Sequence, residues 1–126
     1  MRGEENPVAK RKHQELQAWQ ESMQLAEAVY ALTAGFPSDE RFGLVGQMRR
    51  AAVSVPSNIA EGAARSGTKE FLHFLSIARG SLSELDTQVI LARKLGFAGD
   101  FSITETKLDT AFKLLGGLIN ALGKKS

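Results

Sequence analysis

The sequence contains no cysteine and only three prolines among its 126 residues. Without cysteine, the chain cannot form a disulfide framework, a zinc–thiolate site or a cysteine nucleophile. It also lacks an apolar run of the ~18 residues that a membrane-spanning helix requires. Its first residues, MRGEENPVAKRKHQ, are charged and contain no apolar segment of the kind found in secretory signals. We therefore expect a cytoplasmic protein that does not associate with membranes.

The residue types that carry enzyme chemistry are also sparse. Glu70 and His73 form a Glu-x-x-His pair, but a di-iron site in a helical bundle needs a second such pair and two further inward glutamates. The only other histidine, His13, lies near the N-terminus. The serines at positions 54, 57, 81 and 83 have no histidine within helical reach, and no glycine-rich phosphate loop follows a strand. We expect no catalytic residue, no metal and no cofactor.

The composition is otherwise that of an ordinary globular domain, with 43% hydrophobic and 24% charged residues. The net charge is only +2, but its distribution is uneven. Positions 14–40 contain five acids and no Lys or Arg, whereas positions 41–94 contain eight Lys or Arg and four acids. This asymmetry fits an anionic partner, the pairing of oppositely charged helices from neighbouring subunits, or a solvated surface without a partner.

The first predicted helix has a wide apolar face. One row of side chains recurs at steps of three or four residues: Leu16, Trp19, Met23, Ala26, Tyr30 and Thr33. A second row lies beside it: Leu25, Val29, Leu32 and Phe36. Together the two rows are wider than one bundle seam requires. Gly35 and Pro37 are expected to end the helix.

The second predicted helix keeps an unbroken apolar stripe across a proline: Leu44, Met48, Ala52, Val55, Ile59 and Ala63. Pro56 lacks an N–H, and its ring crowds the carbonyl four residues earlier, at a cost of roughly 3 kcal/mol. Either one long helix bends at Pro56, which the continuous stripe favours, or a new helix begins there with Ser54 as its N-cap. We expect Ser38 or Asp39 to cap the helix and Arg65 to lie near its end.

Two further helices follow. The third carries a heptad seam over three repeats: Phe71, Leu75, Ala78, Leu82, Leu85, Val89 and Ala92. Its expected N-cap is Ser66 or Thr68, and Gly96 suits the position after its C-terminus. In the fourth, Ser102 and Glu105 form an expected capping box. Its seam is Thr104, Leu108, Ala111, Leu115, Leu118 and Leu122.

Four amphipathic helices joined by short breaks can bury their apolar stripes only against one another. The sequence therefore predicts an all-α fold, an antiparallel up-down four-helix bundle over residues 15–124, with the second helix kinked or interrupted near Pro56. Residues 1–14 are polar, contain Pro7 and lack periodicity, so we expect a flexible N-terminal arm.

A polar ridge on the second helix is the candidate site. Ser and Asn are poor helix formers, so their presence there favours a hydrogen-bonded seam over a solvated face in which Ser54 bonds back to the carbonyl of Arg50. In such a seam, Arg79 of the third helix would pair with Glu61, and Asn58 would satisfy backbone groups freed by the proline. We define this polar seam, a candidate interface between helices or subunits, as Ser54, Pro56, Asn58, Glu61, Arg79, Ser81 and Glu84.

Two segments, RRAAVSVPSNIAEG and FLHFLSIARGSLSEL, resemble a known family. They are similar to the bacterial four-helix bundle proteins called 23S rRNA intervening sequence proteins, over about residues 16–122. The residues that carry the resemblance are Arg49, Arg50, Ser54, Pro56, Asn58, Glu61, Gly62, Arg79, Gly80, Ser81 and Glu84. Mild departures are Val55, where isoleucine is usual, and the pair Ala63-Ala64. The resemblance implies a ring of five bundles and no established catalytic group.

A related branch of the family, the accessory variability determinant of diversity-generating retroelements, is similar in fold and implies binding to nucleic acid and to a reverse transcriptase. We therefore expect a non-enzymatic homopentamer that binds RNA or DNA or acts as a scaffold. The expected phosphate contacts are Arg49, Arg50, Arg65, Lys69, Arg79, Arg93 and Lys94. The alternative is a protein–protein interaction module whose basic residues serve subunit contacts, without nucleic-acid binding.

Overall fold

The computed structural model describes residues 9–124 as four α-helices and two short 3-10 helices, with no strand in that range. The α-helices are α1 (Gln17–Thr33), α2 (Leu44–Ala63), α3 (Thr68–Lys94) and α4 (Ser102–Gly123). α1 packs on α2 and α4, and α3 packs on the same two helices, so the four form a closed square. Consecutive helices run in opposite directions. The predicted up-down four-helix bundle is confirmed.

The apolar stripes predicted for three helices form the core. In α2, α3 and α4 the stripe residues are buried, apart from partly buried members at the helix ends. Leu75, Leu82 and Leu85 of α3 are completely inaccessible to solvent, as are Met48 and Ile59 of α2. Burial of these side chains supplies the main driving force for folding.

The structure shows which of the two apolar rows of α1 faces the core. The sequence did not distinguish between them. The second row, which includes Leu25, Val29 and Leu32, is buried. Met23 and Tyr30 of the first row are exposed, and Trp19 is only partly covered. The wide apolar face therefore divides into a core side and a surface side.

α2 runs through Pro56 as one uninterrupted helix. The alternative of a helix that restarts with Ser54 as N-cap is therefore wrong. The predicted N-caps Ser38 and Asp39 are also wrong, because they belong to a separate 3-10 helix, Ser38–Glu40. α2 begins at Leu44, and its backbone N–H donates to the Glu40 carboxylate at 3.1 Å. An acid one turn before the helix performs the capping instead.

The starts of the last two helices also differ from their predicted caps. Gly67, not Ser66 or Thr68, occupies the N-cap of α3. The capping box predicted for α4 is absent, since Ser102 is the first helical residue and Glu105 binds another helix.

Asp100 performs the capping of α4. Its carboxylate accepts hydrogen bonds from the Ser102 backbone N–H at 3.0 Å and from the Ser102 hydroxyl at 2.7 Å. These bonds, together with the nearby Arg93 cation, hold the pKa of Asp100 below its usual value.

The predicted end of α3 is confirmed. Gly96 has a φ of 77°, and the N–H of Phe97 donates to the carbonyl of Ala92 at 3.2 Å, so the helix ends in a Schellman motif. Phe97 then packs edge-on against Phe36, with 5.0 Å between ring centroids. This contact fixes the α3–α4 connection to the α1–α2 connection.

Part of the predicted flexible arm, residues 1–8, lies outside the described residues. Within the rest, Lys12–Glu15 form a 3-10 helix that contacts α1 and α2. The His13 ring meets Trp19 edge-on at 5.1 Å, and the side chain of Gln20 donates to the Gln14 carbonyl at 2.9 Å.

No helix between residues 9 and 124 is long and apolar enough to span a bilayer.

Candidate docking surfaces

An open groove of about 630 Å³ runs between α1 and α2. We call it the apolar groove, and its lining residues are Trp19, Met23, Ala26, Glu27, Tyr30, Val53, Pro56, Ser57 and Ala60. One wall is the surface side of α1, and the other is the outer side of α2, where the ring of Pro56 replaces a backbone N–H. Most of these side chains are apolar, and Met23, Tyr30 and Val53 are exposed. The groove therefore presents apolar surface to solvent.

Arg49 contacts Tyr30, one of the residues that line the apolar groove. Its guanidinium lies 4.5 Å from the centroid of the Tyr30 ring and donates to the Tyr30 carbonyl at 3.3 Å. It also donates to the hydroxyl of Thr33 at 2.9 Å. A cation at the carbonyl end of α1 is favourable because that end of a helix is partly negative. Arg49 therefore holds the Tyr30 side of the groove in place.

A second depression, of about 490 Å³, lies on the other side of α2, facing α3. We call it the polar notch, and its lining residues are Gln47, Arg50, Ala51, Ser54, Ser81 and Glu84. The hydroxyls of Ser54 and Ser81 are 2.9 Å apart and join the two helices. The structure thus places three members of the polar seam, Ser54, Ser81 and Glu84, at one surface.

Asn58 joins the same cluster, but its partner differs from the expected one. Its side-chain amide donates to the Ser54 carbonyl at 2.8 Å and to the Ser54 hydroxyl at 3.0 Å. The carbonyl that Pro56 deprives of its helical donor is instead that of Ala52. Asn58 therefore orients Ser54 toward α3.

The expected pairing of Glu61 with Arg79 does not occur within the subunit. Glu61 instead pairs with Arg65, which lies one turn later and just beyond the end of α2, at 2.8 Å. Arg79 lies two heptads before Arg93, which binds α4, so it lies on the α4 side of α3. Ser81, two residues further on, faces α2. Arg79 and Ser81 therefore lie on different faces of α3, and Arg79 does not face Glu61 on α2.

The seven predicted phosphate contacts fall into two groups. Arg49 is engaged as described, and Arg65 pairs with Glu61 while lying 4.8 Å from the Phe74 ring centroid. Arg93 donates two 2.8 Å hydrogen bonds to Glu105, and this contact raises the pKa of Arg93. The other four form no hydrogen bond, ion pair or ring contact within residues 9–124: Arg50, Lys69, Arg79 and Lys94.

The Glu70–His73 pair gains no further ligands from the fold. His73 is exposed and meets Phe74 edge-on at 5.5 Å. The part of the chain that the structure describes contains no group of three or more side chains that could hold a metal ion. The bundle thus has two adjoining surface depressions, the apolar groove and the polar notch, which share α2 as a wall.

The sequence interpretation missed Phe42. Its side chain is 92% exposed, more than any other large apolar side chain in the described range. The only signal in the sequence was an aromatic residue outside every apolar stripe, between Arg41 and Gly43.

Comparison with known proteins places the chain in context. A family model described as 23S rRNA-intervening sequence protein matches residues 14–117. The matched range begins in the first 3-10 helix and ends in α4, so it includes the apolar groove and the polar notch. No curated protein matches the sequence.

Proposed function

Because the chain belongs to the 23S rRNA-intervening sequence protein family, we propose that it acts as a non-enzymatic homo-oligomer that provides a docking scaffold. The observation that supports this proposal is the apolar groove. Side chains as large as Trp19, Met23 and Tyr30 rarely line an open surface unless another protein covers them. A ring of five copies, which the family resemblance implies, would provide that cover.

The charges around the groove favour another copy of the chain as the partner. Glu27 lies in the groove wall and has no cationic partner within the described residues. α1 carries no Lys or Arg, whereas α2 and α3 carry four cations without a partner in the described residues: Arg50, Lys69, Arg79 and Lys94. Oppositely charged surfaces on the same chain attract two copies in a fixed orientation.

The native mass of the protein tests this proposal. We expect wild-type protein to be oligomeric at micromolar concentration in light scattering or native mass spectrometry. Val53→Glu places a charge in the groove at an exposed position, so it should lower the mass without unfolding the subunit. Ser83→Glu, at an exposed position of α3 outside the groove, is the matched control and should leave the mass unchanged. A monomeric wild-type protein would refute the proposal.

Binding of structured RNA or DNA is a second candidate function. It is supported by the four cations without intramolecular partners, Arg50, Lys69, Arg79 and Lys94. If they contact phosphates, the logarithm of the binding constant should fall linearly with the logarithm of salt concentration, by about 0.9 per contact for duplex DNA. Arg50→Glu should reduce that slope more than Arg65→Glu, because Arg65 is already paired with Glu61. Absence of binding to a mixed RNA pool at low salt would exclude this function.

If the protein does not bind nucleic acid, the alternative is that these basic residues contact neighbouring subunits. Glu61 is already paired with Arg65, so Arg79 is the member of the expected pair that remains free for another subunit. In that case Arg79→Ala should lower the native mass, and Glu61→Ala should not.

A further inference from the structure

Phe42 projects into solvent from the connection between the second 3-10 helix and α2. Only 8% of its surface is covered, although an aromatic ring of this size is usually buried. The guanidinium of Arg41 lies 5.8 Å from its ring centroid. No core side chain depends on Phe42, so the fold of the subunit does not explain its presence.

The backbone beneath Phe42 is firmly hydrogen-bonded. The N–H of Gly43 donates to the Glu40 carbonyl at 3.0 Å, and the N–H of Arg41 donates to the Ser38 carbonyl at 3.2 Å. The Glu40 carboxylate also accepts from the first N–H of α2. A backbone fixed in this way loses little conformational entropy when Phe42 binds, as is favourable for an anchor residue of a protein interface.

The apolar groove has the size and the charge to receive this ring. Its volume of about 630 Å³ exceeds that of a phenyl ring, and its walls are mainly apolar. Glu27 in the wall has no cationic partner, and Arg41 beside Phe42 has no acidic partner, within residues 9–124. The aromatic ring with its neighbouring cation thus matches the apolar groove with its acid.

We propose that Phe42 of one subunit inserts into the apolar groove of a second copy, with Arg41 next to Glu27 of that copy. The inference rests on the proposed homo-oligomer and identifies the surface that fills its groove. Phe42 cannot fill the groove of its own subunit, where its ring is almost fully exposed. The inserting residue and the receiving groove are different parts of the chain. One contact therefore leaves an unused Phe42 on one copy and an unfilled apolar groove on the other, and each can contact a further copy.

Phe42→Asp tests the insertion without disturbing the fold, since the side chain makes almost no contact within the subunit. We expect its circular dichroism spectrum to be unchanged and its subunit dissociation constant to rise at least about 30-fold, as for loss of an interface hot spot. Ile103→Asp is the matched control, because Ile103 is the next most exposed large apolar residue, at 60%, and lies on α4. Equal losses in the two variants, or wild-type assembly of Phe42→Asp, would overturn the inference.

Mixing two variants separates this inference from the proposed function. Phe42→Asp keeps an intact groove, and Val53→Glu keeps an intact Phe42, so an equimolar mixture should form complexes of both variants although neither assembles alone. If Val53→Glu dissociates the oligomer and Phe42→Asp does not, the groove is an interface but Phe42 does not fill it, and the inference fails while the proposed function stands. If the wild-type protein is monomeric, the proposed function itself fails.

A charge exchange tests the ionic part of the contact. Arg41→Glu and Glu27→Lys should each weaken assembly, and the double variant should restore it, because the two charges then attract again with opposite signs. Double variants that assemble no better than either single variant would show that Arg41 and Glu27 do not meet.

Discussion

Gly62 of α2 lies so close to α3 that a Cβ atom built on it would be 2.9 Å from the Cβ of Phe74. The same added atom would be 2.9 Å from the Phe71 ring and 3.2 Å from the Phe71 carbonyl oxygen. Neither the Phe74 Cβ nor the Phe71 carbonyl can move away as the tip of a flexible side chain would. The two helices therefore approach each other closely at a position without a side chain, immediately before the α2–α3 turn.

We predict that Gly62→Ala destabilises the subunit by about 1–3 kcal/mol, because the added methyl group forces the two helices apart. Gly117→Ala is the control, since a Cβ at that helical position of α4 meets nothing within 4 Å. It should stabilise the protein by up to about 1 kcal/mol, the difference in helix propensity between the two residues. Urea denaturation of both variants measures the difference, and a neutral Gly62→Ala would contradict the close contact.

Arg49 and Arg50 are neighbours with different roles, so the same substitution should affect them differently. Arg49→Lys removes the planar group that lies over Tyr30 and donates to Thr33, and we expect a loss of about 1 kcal/mol in the free energy of unfolding. Arg50→Lys should change stability by less than about 0.5 kcal/mol, because Arg50 is exposed and unpaired in the described structure. Equal effects in thermal unfolding would show that Arg49 is not held as described.

The two hydroxyls that join α2 to α3 should be energetically coupled. A double-mutant cycle with Ser54→Ala and Ser81→Ala should give an interaction energy of about 0.5–1.5 kcal/mol, the usual net value of one hydrogen bond. Chemical denaturation of the four proteins measures it. The control pair, Ser83→Ala and Ser81→Ala, should give no interaction energy, because Ser83 lies at an exposed position. Strictly additive effects of Ser54→Ala and Ser81→Ala would mean that their hydrogen bond contributes nothing to stability.

The capping role of Asp100 predicts a pH-dependent stability. Its pKa is lower in the folded protein than its ordinary value of 3.8, because Ser102 donates two hydrogen bonds to the carboxylate. The stabilisation is therefore fully present above pH 3.8 and is lost as the pH falls through the lower pKa of the folded state. Asp100→Ala should be less stable than wild type at neutral pH, and the difference should vanish in acid.

Asp109→Ala serves as the control for that titration. Asp109 is an exposed acid on α4 that has no hydrogen bond or ion pair within the described residues, so its substitution removes a carboxylate without removing a cap. Unfolding curves measured between pH 7 and pH 2.5 compare the two variants. A gap between Asp100→Ala and wild type that persists at the lowest pH would argue against the carboxylate cap.

The positions of the helices and their buried stripes could be predicted from the sequence, because apolar residues spaced three or four apart lie on one face of a helix, and that face packs in the core. The caps could not, since Ser38, Asp39 and Glu40 are all chemically able to cap α2 and only the path of the chain selects Glu40. The absence of a Glu61–Arg79 pair within the subunit was also beyond the sequence. It depends on the rotation of α3, which places Ser81 rather than Arg79 toward α2.

The candidate site was predictable only in part. The polar seam on α2 was visible because Ser54 and Asn58 are poor residues for a solvated helix face. The apolar groove was visible only as excess width on α1, since Tyr30 and Val29 are both apolar neighbours and only the packing of α2 and α4 decides which is buried. Phe42 belongs to no periodic pattern, so its exposure could be learned only from the folded chain.

α2 is a wall of both docking surfaces, with Val53 in the apolar groove and the next residue, Ser54, in the polar notch. A rotation of α2 would change the width of both clefts, because this one helix forms a wall of each. We therefore expect occupancy of either cleft to change affinity at the other, and linkage requires the two effects to be equal.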